Sequence, residues 1–219
     1  RKDILISRNI NPGYLAVSLP IVNMGKVNNK GFEVTARWED QIQNVRYHIG
    51  TNWGYAKNEI LFNDEIPQPY VWMRRTGRPV GQQFGYMYDG FFTEEEAANY
   101  ASLKGKEGGI PDHGEGFTPL AGDVKYKDLN GDHKIDNNDV SAIGNPIYPL
   151  LTGNLSMGFS WKGLDFSMTW AGAFKTSRLV ADFYRYPFGS TNNRSLLKYM
   201  IDDAWTPEKG NSAKAPAIS

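Results

Sequence analysis

The sequence predicts an all-β chain whose antiparallel strands are patterned to cross a membrane as part of a barrel. Three observations carry this expectation. Between Gly153 and Gly172, Leu155, Met157, Phe159 and Trp161 alternate with Asn154, Ser156, Gly158 and Ser160, and then Leu164, Phe166, Met168 and Trp170 alternate with Asp165, Ser167 and Thr169. A period of two places each set on one face of a strand. The same pattern recurs upstream: Phe32, Val34, Ala36 and Trp38 against Glu33, Thr35 and Arg37, then Val45, Tyr47, Ile49, Thr51, Trp53 and Tyr55 against Arg46, His48, Gly50, Asn52 and Gly54. Finally, each hairpin has a short internal connection, whereas about 97 residues separate Tyr55 from Gly153 and 47 follow Gly172. Up-and-down membrane barrels sort their connections this way, short on one side and long on the other. A soluble β-sandwich, with the apolar faces of the two hairpins packed together, is the alternative the same pattern permits.

Composition narrows the partners. The chain has 219 residues with 24 basic and 24 acidic side chains, so its charge balance offers no pull toward nucleic acid. Aromatic residues make up 13 % and glycines number 23, a mix common in β-rich chains. No apolar run approaches the ~18 residues of a membrane-spanning helix, which excludes helical spans and leaves alternating barrel strands untouched. There is no cysteine, hence neither a disulfide framework nor a thiolate site. A start at Arg1 and a polar tail ending at Ser219 predict an excerpt of something longer.

The elements follow in order. From Arg1 to Gly25, the turn cluster Asn9-Ile10-Asn11-Pro12-Gly13 and Pro20 predict a loop carrying short strands. The first hairpin then runs through Trp38 and resumes at Val45, with a polar connection from Glu39 to Asn44. The stretch Gly81 to Phe92 is aromatic and punctuated by Gly, predicting a short strand. Thr93-Glu94-Glu95-Glu96 is a capping box that starts a helix over Ala97, Ala98 and Tyr100, and the helix dipole accounts for its three adjacent acids. Lys104 to Gly122 is Gly-rich and reads as a mobile connection. In the second hairpin Lys162-Gly163 suits a two-residue turn, since Gly takes the positive φ of a primed turn without strain. A last helix is predicted from Arg194 to Trp205, capped at Asn192 or Asn193, with Leu196, Leu197, Met200 and Ile201 on one side and Pro207 beyond its end.

One loop is chemically conspicuous. Asp128, Asn130, Asp132, Asp136 and Asp139 stand at positions 1, 3, 5, 9 and 12 of a twelve-residue stretch, with the Lys134 carbonyl at position 7. This is the ligand spacing of an EF-hand or dockerin-like calcium loop. Its four carboxylates repel unless a cation or solvent separates them. His133 occupies position 6, where Gly is usual, and Asp139 is shorter than the usual Glu. Val124-Lys125-Tyr126 before the loop reads as strand, leaving only the stretch to Ile143 for an exit helix. A structural Ca2+ and a metal-free cluster of Asx turns are both compatible with the spacing.

Four ordered segments carry a family resemblance. They are Pro20-Ile21-Val22-Asn23-Met24-Gly25-Lys26-Val27-Asn28-Asn29-Lys30-Gly31-Phe32-Glu33; Gly77-Arg78-Pro79-Val80-Gly81 with Gly85-Tyr86-Met87-Tyr88-Asp89-Gly90-Phe91-Phe92; Gly122-Asp123-Val124-Lys125-Tyr126-Lys127-Asp128; and Ile143-Gly144-Asn145-Pro146. With Ala204-Trp205-Thr206-Pro207-Glu208, they resemble the SusC/RagA-like TonB-dependent outer-membrane transporters of Bacteroidota. The resemblance implies a late segment of a 22-stranded barrel in the bacterial outer membrane. It implies import of glycans or peptides under a SusD-like surface lipoprotein, energised by the TonB complex through an N-terminal part. It also orients the chain: the short turns face the periplasm, and residues 59–147, with the acidic loop at 128–139, form an extracellular excursion carrying short helices.

On this expectation the chain makes and breaks no bonds. Tyr86, Tyr88, Phe91, Tyr184 and Tyr186 are the candidates for contact with a sugar or peptide face, each with loop packing as its other role. Trp38, Trp53, Trp161 and Trp170 suit an interfacial girdle. The competing function is a soluble, calcium-stapled carbohydrate-binding module. A hydrolase is a third reading, but the sequence contains no nucleophile elbow, zinc-binding His pair or Gly-rich phosphate loop, and His48, His113 and His133 are scattered.

Overall fold

The computed structural model describes residues 1–6, 21–180 and 196–218. These form two compact units, Arg1–Gln83 with Gly144–Ser177, and Phe84–Ile143 with Arg178–Ser219. No helix among the described residues is long and apolar enough to cross a membrane.

The first unit is built on one antiparallel sheet of β1 (Ile4–Ile6), β2 (Val22–Ile42), β3 (Val45–Phe62), β8 (Leu151–Trp161) and β9 (Leu164–Phe174), in that spatial order. Neighbours in the sheet are therefore consecutive passes of the chain, the meander of an up-and-down barrel, with four further short strands confined to the excursion between β3 and β8. Both hairpins close in two residues. Lys162 and Gly163 have φ of 46° and 87°, positive at both positions as a type I′ turn requires. Gln43 alone is positive in the first turn, at 53°, the signature of type II′.

That first turn corrects the predicted connection from Glu39 to Asn44. Asp40, Gln41 and Ile42 stay in the ladder opposite Tyr47, Arg46 and Val45. Polar residues here mark an approach to water rather than the end of pairing. At the other end, β2 and β3 remain paired far beyond the apolar stretch, out to Lys26 and Phe62. Both faces are wet there, so the hydrophobic period that reveals a strand is lost. The excursion consequently begins after Phe62 and ends before Leu151, later at both ends than the predicted 59–147.

The second unit contains β4 (Gln83–Tyr86) paired with β7 (Val140–Ile143), β5 (Tyr88–Phe91) paired with β6 (Val124–Tyr126), and helices α1 (Glu94–Leu103) and α2 (Lys198–Asp203). The single strand expected from Gly81 to Phe92 is thus two, interrupted at Met87. The capping box forms: the Glu96 amide donates to Thr93 Oγ1 at 3.1 Å and the Thr93 amide donates to Glu96 Oε2 at 2.9 Å. Phe92, Tyr100 and Ile110 form a buried cluster, flanked by Leu103 and Phe117. The segment Lys104 to Gly122, expected to be mobile, contributes Ile110 and Phe117 to this core and is tied back by the Ile110 amide to the Leu103 carbonyl. Helix α2 is shorter than predicted. Leu197 is its extended N-cap without a side-chain bond, Met200 is buried, and Ile201 is exposed. The anticipated caps Asn192 and Asn193 lie outside the described residues.

Candidate functional site

The register of the sheet turns sequence alternation into two continuous faces. On one face the cross-strand rows read Ile42–Val45–Trp161–Leu164, then Asp40–Tyr47–Phe159–Phe166, then Trp38–Ile49–Met157–Met168. They continue as Ala36–Thr51–Leu155–Trp170, Val34–Trp53–Gly153–Gly172 and Phe32–Tyr55–Leu151–Phe174. From Ile42 to Phe32 is ten residue steps, about 34 Å along the strand, or about 24 to 26 Å of membrane depth at a tilt of 40–45°. That is the height of the apolar band of a membrane barrel, about 25 Å.

This face is uncovered. Phe32 is 63 % exposed, Trp38 60 %, Leu164 56 % and Trp170 49 %, whereas the buried hydrophobic side chains among the described residues belong to the second unit. A soluble sandwich would have buried these same rings. Burial of a large side chain contributes about 1.5–3 kcal/mol, so a dozen such residues left open in water would be costly. Their pattern is that of the outward rows of a membrane barrel.

Two polar groups on the apolar face are satisfied locally, as a hydrocarbon environment demands. The Trp53 indole N–H donates to Thr51 Oγ1 at 2.7 Å, and the Thr51 hydroxyl donates to the Asn154 carbonyl at 2.8 Å. Trp53 lies over the bare backbone of Gly153, where a Cβ would come within 2.3 Å of the ring, and packs 6.0 Å from Phe174. Only the pairing register reveals this glycine floor.

The opposite face carries small or charged groups: Glu33, Thr35, Arg37, Glu39, Arg46, His48, Asn154, Ser156, Asp165 and Ser167 among them. Arg37 and Glu39 form an ion pair, Asn52 donates to Thr35 Oγ1 at 2.9 Å, and Ser156 donates to the Gly50 carbonyl at 3.2 Å. A hollow of about 480 Å³ opens on the first unit, lined by Asn29, Gly31, Glu33, Gly54, Ala56 and Thr152. Phe32, Tyr55, Pro149 and Leu150 complete its lining, and Glu33 and Thr152 give it polar character.

The predicted contact residues separate in the structure. Tyr86 packs 5.3 Å from Tyr126, and Tyr88 is half exposed, edge-on to Phe91. Phe91 corrects the expectation of an open ring. It is 3 % exposed, its amide donates to Asn211 Oδ1 at 2.9 Å, and a buried ring has no face for a solute. Tyr184 and Tyr186 lie outside the described residues.

In the acidic loop the carboxylates are bonded to backbone amides. Asp128 accepts from Gly131 and His133, Asp132 from Lys134, Asp136 from Asn138, and Asp139 from Leu129 and Asp136. Asn130 Oδ1 accepts from the Asp132 amide. His133 takes the left-handed conformation expected of position 6, with φ of 63°. Asp139 is fully buried, while Asp136 caps the 3-10 turn at 137–139. No exit helix follows, which corrects the one-armed EF-hand: Val140–Ile143 pairs as β7, in keeping with its β-branched residues. Among the described residues no group of three or more His, Asp or Glu side chains is arranged to hold a metal ion.

Two charged or titratable groups brace the second unit. Burial opposes ionisation of Glu96, but Lys125 Nζ at 2.8 and 2.9 Å and the Thr93 amide and hydroxyl outweigh it, holding the carboxyl below its usual range. Burial holds the His113 imidazole below its usual value, partly offset by the Pro111 carbonyl and Asp112. His113 stacks 5.1 Å from Phe117.

No family model matches the chain. TonB-dependent receptor P3 of Formosa agariphila is 25 % identical over 241 residues, covering 99 % of this chain and 21 % of that protein. TonB-dependent receptor P26 of the same organism is 24 % identical over 222 residues, covering 96 % of this chain. The chain spans about a fifth of the length of the curated relatives it matches. Among solved structures, the RagAB peptide importer in the open-open state superposes with a TM-score of 0.60 at 17 % identity, covering 100 % of this chain and 22 % of the other. The closed-closed state gives 0.58. By fold this chain is a stretch of antiparallel β-barrel, and by sequence it is similar to the TonB-dependent receptors.

Proposed function

We propose that this chain is part of the barrel of an outer-membrane importer, in which it contributes wall and extracellular excursion rather than bond-making chemistry. The observation that carries the reading is the continuous uncovered apolar face, about 25 Å tall, backed by a polar face of small side chains. The polar face and the hollow beside Glu33 line the solute's route, and Tyr88 is the open ring of the excursion. The relatives' names support TonB-coupled uptake, and the RagAB likeness favours a peptide over a glycan as cargo and a SusD-like surface lipoprotein as partner. The deciding experiment purifies the complete protein. Folding that requires detergent or lipid, together with co-purification of a surface lipoprotein, fits this reading; a detergent-free, folded monomer fits the soluble module and overturns it.

We also propose that a structural Ca2+, when bound, draws together Asp128, Asn130, Asp132, Asp136, Asp139 and the Lys134 carbonyl; the side chains of these residues do not form a metal-holding group in this structure. The spacing and the left-handed His133 support this. Each carboxylate keeps lone pairs beyond those given to its amides, so the ion and the Asx turns are chemically compatible.

A further inference from the structure

The apolar band ends abruptly at the row Phe32–Tyr55, and the next outward row on β2 and β3 is Lys30 opposite Lys57. Beyond it, Asn28 faces Glu59, and Lys26 follows on the same face of β2. Like charges directly opposite each other on an antiparallel pair are destabilising. A single lysine at a band edge is ordinary, because its stem lies along the apolar surface while the ammonium reaches water. Two facing each other need a further reason. Both are exposed, and among the described residues neither they nor Lys26 nor Glu59 form an ion pair. Among the described residues no ion pair relieves the repulsion.

Position identifies the occupant. The pair lies on the lipid side of the sheet, one row beyond the last apolar row and at the end opposite the two-residue turns, the outer end under the proposed function. A group meeting both ammoniums there must be anionic, sit at headgroup depth and have acyl chains that run down over Phe32, Val34 and Trp53. We infer that Lys30 and Lys57 form a docking site for a phosphorylated lipid of the outer leaflet, with the phosphate between the two ammoniums and the chains on the apolar rows below.

The inference rests on the membrane reading of the sheet and is tested on the complete protein in neutral maltoside micelles. Lipid A with its phosphates, enzymatically dephosphorylated lipid A and inorganic phosphate are the three probes, read by native mass spectrometry and by the shift in unfolding temperature. Wild type is expected to bind phosphorylated lipid A and gain thermal stability, with dephosphorylated lipid A and inorganic phosphate giving no comparable shift. The double variant Lys30→Gln/Lys57→Gln should bind phosphorylated lipid A about thirtyfold more weakly, since each surface lysine contributes about fivefold toward an anionic lipid. In lipid-free micelles the same variant should be at least as stable as wild type, because the facing charges are gone. That sign reversal separates a lost site from a damaged fold. Equal binding by variant and wild type, no preference for the phosphorylated lipid, or full competition by millimolar inorganic phosphate overturns the inference. If the protein instead folds without any detergent, the membrane reading itself has failed.

Discussion

An arginine scan along β9 reads the depth of the apolar band directly. Leu164, Phe166, Met168, Trp170, Gly172 and Phe174 project from one face, and successive members are about 6.8 Å apart along the strand, or about 5 Å in depth at a 40–45° tilt. Met168 therefore lies about 10 Å from the row of Leu164 and about 15 Å from that of Phe174, near the middle of the band. Arginine at the bilayer midplane of a membrane barrel costs about 2–4 kcal/mol, falling to about 0–1 kcal/mol near the interfaces. Met168→Arg and Trp170→Arg should thus be the costliest, while Leu164→Arg and Phe174→Arg should be nearly neutral. Ser167→Arg and Thr169→Arg, on the wet face, should cost little. The assay is the folded fraction of the complete protein in phospholipid vesicles, scored by heat-modifiable migration on gels across a urea series. A soluble core would penalise Leu164 as heavily as Met168, so a flat profile over the six outward positions refutes the lipid-facing assignment, as does greater damage at Ser167 than at Met168.

Other outcomes follow from local geometry. Gly153→Ala should lift Trp53 from its seat, because the added Cβ would meet the ring at 2.3 Å, at a cost of about 1–3 kcal/mol; tryptophan emission in vesicles reports the displaced indole, and an unchanged spectrum speaks against the glycine floor. Acid should loosen the second unit in two steps. The depressed His113 gives stability that is complete above about pH 6.5 and is lost as pH falls through its lower folded value, while Glu96, also depressed, gives stability that is present above 4.5 and lost below it. Amide exchange at Tyr126, whose N–H donates to His113 Nε2, follows the first step after correction for intrinsic rates, and His113→Phe should remove that step while leaving the second. Calcium added to chelator-treated complete protein should give a saturable heat and protect amides 128–139 from exchange, with Asp132→Asn weakening the effect; no heat at millimolar calcium leaves the Asx turns as the loop's only closure.

How much of this was legible before the structure depends on how local each signal is. Alternation from Leu155 to Trp170 is local, and so are the Thr93 capping box and the Lys162-Gly163 turn; each appears as expected. The extension of β2 and β3 beyond the apolar rows was hidden because residues such as Lys30 and Asn58 are polar on both faces, and their strand character comes from pairing. The seating of Trp53 over Gly153, the facing of Lys30 and Lys57, and the tie of the Phe91 amide to Asn211 are all set by residues distant in the chain. The stretch Val140–Ile143 shows the same limit, since a partner strand made it β where an EF-hand reading asked for helix.

The most direct measurement of the central claim places nitroxide labels one at a time from Asp165 to Thr169 in the complete protein, reconstituted in phospholipid bilayers, and compares relaxation by oxygen, which concentrates in lipid, with relaxation by a water-soluble nickel chelate. Labels at 166 and 168 should respond to oxygen and those at 165, 167 and 169 to nickel, in strict alternation. Labels at 166 and 168 shielded from both agents would mean that these side chains are packed inside protein, and the barrel account would be wrong.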